Sequence, residues 1–130
     1  MTARSPGEAW RRLCDLRVRL RDRCEQTLRL EALGGELGLS ASRFLRRFRA
    51  VFGATPHALQ GEARLARACA LLRESTLPVT EVCLEVGYRS LGSFSWAFSR
   101  RMGCSPRDFR ARANGRQGPE SPHDCFARMG

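Results

Sequence analysis

The chain has 130 residues, 42% of them hydrophobic and 28% charged, which suits one small domain or two very small ones. All 23 basic residues are arginine, against 13 acidic residues, so the formal net charge is +10. This composition excludes an acidic disordered chain and a collagen-like chain, and charged residues interrupt every apolar run well short of the ~20 residues of a membrane span. The charge favours a polyanionic partner, nucleic acid before an anionic membrane, although an arginine-rich genome composition is an alternative explanation.

The N-terminal segment predicts an amphipathic helix over residues 7–26. Its apolar side carries Trp10, Leu13, Leu16 or Arg17, and Leu20, and arginines occupy the rest of its surface. We therefore expect a helix that packs on the core through one face. Trp10-Arg11-Arg12 also interrupts the stretch where a secretory signal would be apolar, so we expect a cytoplasmic protein.

Residues 30–53 and 79–103 are two copies of one pattern. In each copy a short helix with apolar residues at i, i+3 and i+7 is followed by a glycine, Gly38 or Gly87, and then by a helix-capping serine, Ser40 or Ser90. The second helix of each copy carries two phenylalanines four positions apart on its inner face. One such pattern fits an ordinary helical hairpin, but two copies in a basic chain favour the helix-turn-helix, whose second helix enters the DNA major groove.

A longer helix is predicted between the copies, with Thr55 as its N-cap, Pro56 in its first turn and its end near Glu74. Its length of about 27 Å approaches one turn of DNA, so it would hold two reading helices near successive major grooves. We therefore predict an all-α fold of about seven helices, with two helix-turn-helix subdomains joined by a long linker helix. The predicted divisions are 1–54 (N-terminal helix and first subdomain), 55–77 (linker helix), 78–110 (second subdomain) and 111–130 (disordered tail).

About 80 residues, from Leu30 to Arg110, resemble the DNA-binding domain of the AraC/XylS family of bacterial transcription regulators. The residues that carry the resemblance include Gly38-Leu39-Ser40, Phe44, Arg46, Phe48, Gly53, Pro56, Arg64, Ala68, Val86-Gly87-Tyr88, Ser90, Phe94, Ala97-Phe98, Gly103, Ser105-Pro106 and Phe109. The size and helix order look most like the short, single-domain members of the MarA/SoxS type. That likeness implies a monomer on promoter DNA, in the cytoplasm and associated with the nucleoid, with RNA polymerase as a further candidate partner.

The resemblance implies that the first reading helix contacts bases through positions Ser42, Leu45 and Arg46. A guanidinium can donate two hydrogen bonds to guanine O6 and N7, so the chemistry supports Arg46 best. Helical spacing places Arg49 near Arg46 as a phosphate contact, with Arg43 beside the same face. In the second helix the matching positions are Leu91, Gly92, Ser93 and Trp96. Because these offer few hydrogen-bond donors, we expect the second subdomain to position the protein on phosphates through a set that includes Arg89, Ser90, Ser95, Arg100 and Arg101.

Two features of the repeat stay open at this stage. Trp96 stands where the family usually has an arginine, and it either contacts thymine methyl groups or folds back into the core. Gly34, which aligns with Cys83, fits a close approach of two helices, whereas Gly35 should cost about 1 kcal/mol relative to alanine in a helix.

An enzyme is a poor hypothesis for this chain. The only histidines are His57 and His123, and no Ser/His/acid set, phosphate loop or zinc-ligand spacing occurs, so we expect neither a cofactor nor a metal and no membrane partner. Two alternatives remain. One is a helical protein-interaction module that uses Leu45, Leu91 and Trp96; the other is the DNA-binding fragment of a longer effector-sensing regulator, against which the short run from Met1 to Pro6 argues gently.

Overall fold

The computed structural model describes residues 6–115, and this part of the chain folds into seven α-helices without a β-strand. The helices are α1 (Pro6–Asp22), α2 (Leu30–Glu36), α3 (Ala41–Phe52), α4 (Pro56–Glu74), α5 (Val79–Glu85), α6 (Leu91–Met102) and α7 (Pro106–Gly115). The predicted all-α class is confirmed. None of the described helices is both long enough and apolar enough to cross a membrane.

The chain divides into two compact units, and the boundary lies between Arg64 and Leu65. This boundary falls inside α4, so the helix predicted as a separate linker over 55–77 contributes residues to both units. The first unit combines α1, α2 and α3 with the first half of α4. The second combines the other half of α4 with α5, α6 and α7.

The core of the first unit consists of leucines from α1 and from the C-cap of α2, packed against two phenylalanines of α3. Its buried members are Leu13, Leu16, Leu20, Leu37, Phe44 and Phe48. The prediction that Trp10 lines the core was wrong: 54% of its surface is exposed, although its ring centroid lies 6.1 Å from that of Phe52. Helix α1 also ends at Asp22 rather than near residue 26.

The core of the second unit repeats this arrangement. Residues of α4 are buried together with residues of α5, its C-cap and α6, in one cluster that contains Leu65, Ala68, Cys69, Leu72, Val82, Cys83, Val86, Phe94 and Phe98. Phe94 and Phe98 of α6 are fully buried, as are Phe44 and Phe48 of α3. Each reading helix is therefore fixed to its unit by the same pair of aromatic side chains, which leaves its opposite face in solvent.

The turns between the paired helices are built alike in the two units. Gly38 and Gly87 have φ values of 72° and 106°, in the left-handed region that glycine adopts most readily. Gly34 packs against this turn as predicted, because a Cβ atom placed on it would lie 2.7 Å from the carbonyl oxygen of Leu39. Gly35 has open space around it, so no close contact accounts for its presence in the helix.

Each unit also contains a side-chain clamp on the end of an earlier helix. In the first unit, α4 approaches the chain after α1: Gln60 Nε2 donates to the carbonyl oxygen of Gln26 at 2.8 Å, and Arg64 Nε donates to that of Cys24 at 2.6 Å. In the second unit, Arg110 of α7 donates through three nitrogens to the carbonyls of Leu72, Ser75 and Leu77, around the end of α4. Only the Leu72 carbonyl belongs to the last turn of a helix, where carbonyls lack an intrahelical partner; the other four acceptors lie in the segments that follow α1 and α4.

The C-terminal boundary differs from the prediction. Helix α7 continues to Gly115, so residues 111–115, predicted as the start of a disordered tail, are helical. The rest of the predicted tail, residues 116–130, lies outside the described residues.

Candidate nucleic-acid interface

Helix α3 presents the predicted polar residues on its outer surface. The Ser40 side chain accepts a hydrogen bond from the Arg43 backbone amide at 3.3 Å, which caps the helix as the sequence predicts. Phe44 and Phe48 point into the core, so the opposite side of α3 faces solvent. Of the predicted contact residues, Leu45 is half-buried and the others are exposed: Ser42, Arg43, Arg46 and Arg49.

A shallow depression of about 400 Å³ lies on this surface of the first unit, and it is lined by Leu39, Arg43, Arg46, Arg47 and Ala50. Three of these five residues are arginines and none is acidic, so the depression suits an anion. Arg47 was not among the contact residues predicted from the sequence. Its position one helical turn from Arg43 was the available signal for placing it there.

Helix α6 has the same construction and a different surface chemistry. Ser90 caps it by accepting a hydrogen bond from the Ser93 amide at 3.1 Å. The predicted residues on and before the helix are exposed except Ser95, which is half-buried: Arg89, Ser90, Leu91, Gly92, Ser93, Trp96 and Arg100. Trp96, with 64% of its surface exposed, does not pack in the core, which answers the question that its sequence position left open.

The exposed indole of Trp96 has a cationic neighbour on its own helix. The guanidinium carbon of Arg100 lies 4.9 Å from the centroid of the Trp96 ring, within the range of a cation–π contact. The residues are four positions apart, so they lie on the same side of α6. Arg100 therefore contacts Trp96 as well as solvent in this structure.

A family model described as a helix-turn-helix domain matches residues 33–112. The chain is 39% identical over 83 residues to the RCS-specific HTH-type transcriptional activator RclR of Escherichia coli. The matched residues make up 64% of this chain and 29% of that protein. It is 31% identical over 100 residues to the HTH-type transcriptional regulator MtrA of Neisseria gonorrhoeae, 77% of this chain and 33% of that protein. The chain thus spans about a third of the length of these relatives.

The fold is also similar to that of a solved DNA-binding domain. The DNA-binding domain of the global transcriptional factor AdpA, solved in complex with a target DNA, superposes with a TM-score of 0.72 and 30% identity over 82% of this chain and 97% of that one. The chain belongs to the AraC/XylS family. The similarity includes both helix-turn-helix motifs, because the matched residues extend from α2 to α7.

Within this family fold, the two reading helices carry different side chains at equivalent positions. The outer stripe of α3 reads Ser42, Arg46 and Ala50, and the stripe 50 positions later on α6 reads Gly92, Trp96 and Arg100. Such residues, four apart, share one face of a helix. The first unit therefore presents a hydrogen-bonding fork where the second presents an aromatic ring.

The start of α6 is also held by a buried thiol. Cys83 Sγ lies 3.4 Å from the carbonyl oxygen of Ser90, the residue that caps α6, and burial raises the pKa of this thiol above its ordinary value. Cys83 thus serves as a neutral core residue that contacts the turn. No cluster of metal-ligating side chains occurs within residues 6–115.

Proposed function

We propose that this chain is a transcription regulator that binds double-stranded promoter DNA sequence-specifically. The observation that carries the proposal is the pair of capped helices, α3 and α6, each anchored by two buried phenylalanines and each exposing its opposite face. The second helix of a helix-turn-helix is the one that reads the major groove. The regulatory names of the relatives and the DNA complex of the AdpA domain support the same function.

In the proposed complex, α3 provides most of the hydrogen-bonded base readout. Arg46 donates two hydrogen bonds to a guanine, an arrangement worth about 1–3 kcal/mol of discrimination against the wrong base. Arg43, Arg47 and Arg49, exposed on the same helix, contact phosphates on either side of the groove. Ser42 and Leu45 complete the contact surface of this helix.

Helix α6 enters a second, successive major groove in this proposal. The arginines Arg89, Arg100 and Arg101 fix its position through phosphates, together with the hydroxyl groups of Ser90, Ser93 and Ser95. The protein acts as a monomer on DNA in the bacterial cytoplasm, associated with the nucleoid, and RNA polymerase is a further partner. Without an identified effector, the proposal includes neither a cofactor nor catalysis.

Selection of binding sites from random duplex DNA tests the proposal directly. We expect an enriched motif that contains a guanine, and we expect Arg46→Ala to lose preference at that guanine by about 1–3 kcal/mol while the rest of the motif persists. Arg49→Ala should instead weaken all sequences alike and reduce the slope of log K against log salt by about 1. Equal guanine preference in wild type and Arg46→Ala would refute the role of Arg46.

The exposed apolar residues Leu91 and Trp96 favour one alternative, a protein-interaction module. A contact through these side chains would depend little on salt, whereas DNA binding through several phosphates weakens steeply as salt rises. The same salt titration therefore separates the two functions. The match to only a third of each relative's length also leaves open a longer, effector-sensing regulator of which this is the DNA-binding domain.

A further inference from the structure

We propose that Trp96 and Arg100 act as one unit through which α6 recognises the 5-methyl group of a thymine in the major groove. This inference rests on the proposed DNA-binding function and adds a base identity to it. Arg100 is a positioning residue here: its guanidinium holds the indole, and the indole makes the base contact.

The Trp96 side chain is exposed to solvent. Trp96 leaves 64% of its surface in solvent although the core of its unit contains nine other buried residues, so the side chain is not needed to fill that core. Leu91, at the start of the same helix, is 43% exposed. A single exposed apolar residue is common on protein surfaces, so this exposure makes the ring available for a contact, and the choice of contact rests on the shape and chemistry of α6.

The surface of α6 is open around Gly92, one turn before Trp96. A Cβ atom placed on Gly92 would have no atom within 4 Å, so the helix surface one turn before Trp96 is bare. Trp96 follows Gly92 by one helical turn on the same side of α6, and its ring does not come within 4 Å of a Cβ placed on Gly92. The missing side chain lets DNA approach that turn closely.

The indole of Trp96 differs in chemistry from the guanidinium of Arg46. The indole has one hydrogen-bond donor and cannot form the two-donor fork that Arg46 offers at the equivalent position of α3. In the major groove, the thymine methyl is the base feature that an apolar side chain can read. A ring in place of the arginine thus changes the preferred base from guanine to thymine.

Arg100 contacts the Trp96 ring. Its guanidinium carbon lies 4.9 Å from the centroid of the indole, so the cation restrains the ring before DNA arrives. Restricting a rotatable side chain in the free protein lowers the entropic cost of binding. Arg100 is itself exposed, so its positive charge stays at the surface of α6.

Replacement of thymine by deoxyuridine, which lacks only the 5-methyl group, tests the proposal. Duplexes selected by the wild-type chain are substituted one thymine at a time, and binding is measured by fluorescence anisotropy. We expect one position at which deoxyuridine weakens wild-type binding about three- to fivefold, the effect of one buried methyl group. Trp96→Ala should bind the two duplexes equally at that position, and Trp96→Phe should retain part of the difference.

Arg100 variants separate positioning from simple charge. Arg100→Ala and Arg100→Lys should both shrink the deoxyuridine effect, since neither side chain stacks on the ring as a guanidinium does. The control Arg107→Ala removes one charge from the exposed first turn of α7 and should leave the deoxyuridine effect intact. In the DNA-free protein, the Arg100 Hδ resonances should shift when Trp96 is replaced, because the ring current is lost.

The outcomes are distinguishable. An unchanged deoxyuridine effect in Trp96→Ala, or no effect at any thymine in the wild type, overturns the thymine contact even if specific binding is intact. A full deoxyuridine effect in Arg100→Ala overturns the positioning role alone. Failure of random duplexes to yield any motif would instead count against the proposed function on which this inference rests.

Discussion

Replacing Arg110 with alanine should destabilise the second unit more than any other exposed or half-buried arginine does. Its guanidinium donates to three backbone carbonyls, those of Leu72, Ser75 and Leu77, at the point where α4 ends. A hydrogen bond to a charged group contributes about 1.5–3 kcal/mol when it is shielded from water. Because Arg110 is half-buried and water can reach part of the site, we expect a total loss of about 2–3 kcal/mol rather than the sum of three such bonds.

Urea unfolding followed by far-ultraviolet circular dichroism measures this loss, and the melting temperature should fall by about 10 °C. Arg110→Lys keeps the charge but has a single compact donor group, so it should recover less than half of the lost stability. The matched control is Arg107→Ala, one turn earlier on α7 and exposed, which should change stability by no more than about 0.5 kcal/mol. If Arg110→Ala proves as mild as this control, the three hydrogen bonds do not hold the helix end as we describe.

Three further predictions concern the turns and cores. Gly34→Ala should destabilise the first unit, because its Cβ would lie 2.7 Å from the Leu39 carbonyl oxygen. Gly35→Ala, in open space, should stabilise the same unit by up to about 1 kcal/mol. Thermal unfolding measures both effects, and a stabilising Gly34→Ala would disprove the close contact. Ser90→Ala should cost about 1 kcal/mol through the lost cap of α6, measured in the same way, and a neutral result would remove the cap from the account. Burial raises the pKa of Cys83 above its ordinary value near 9, so the folded state keeps a proton that the unfolded chain loses; stability should therefore decline as pH rises above 9, and that part of the decline should vanish in Cys83→Ala.

The repeat made most of the fold predictable. Apolar spacing and the paired glycines and serines located α2, α3, α5 and α6. Helical faces, helix ends and helix caps are local features, so their residues can be recognised in a single sequence. The burial of Trp10 was predicted wrongly, since helical periodicity assigns a residue to a face but does not show how far the neighbouring helices extend over it.

The clamps on the helix ends were not visible in the same way. A single polar residue in a helix, such as Gln60 or Arg110, has no periodic signal, and its partners are backbone carbonyls that any residue type would supply. One clue was available: these two residues are 50 positions apart, in the register of the repeat. The hydrogen bond from the Gln60 amide to the Gln26 carbonyl explains why a glutamine only 5% exposed is tolerated in α4.

The candidate interface was only partly predictable for a related reason. Sequence spacing identified the outward residues of α3, but it did not distinguish an exposed Trp96 from a buried one, because the same position on a helix allows either orientation. The contact between Trp96 and Arg100 depends on side-chain conformations that no spacing rule fixes.

Helix α4 contributes residues to both units, because the boundary between Arg64 and Leu65 lies inside it. Side chains in its first half clamp the chain after α1, and its carbonyls at the other end receive the clamp from α7. Two non-overlapping fragments divided anywhere in this helix would each lose part of it, whereas two fragments that both contain Pro56–Glu74 would each retain a full set of packing partners. A fragment made to study one helix-turn-helix unit in isolation should therefore include all of α4, whichever of the two units it contains.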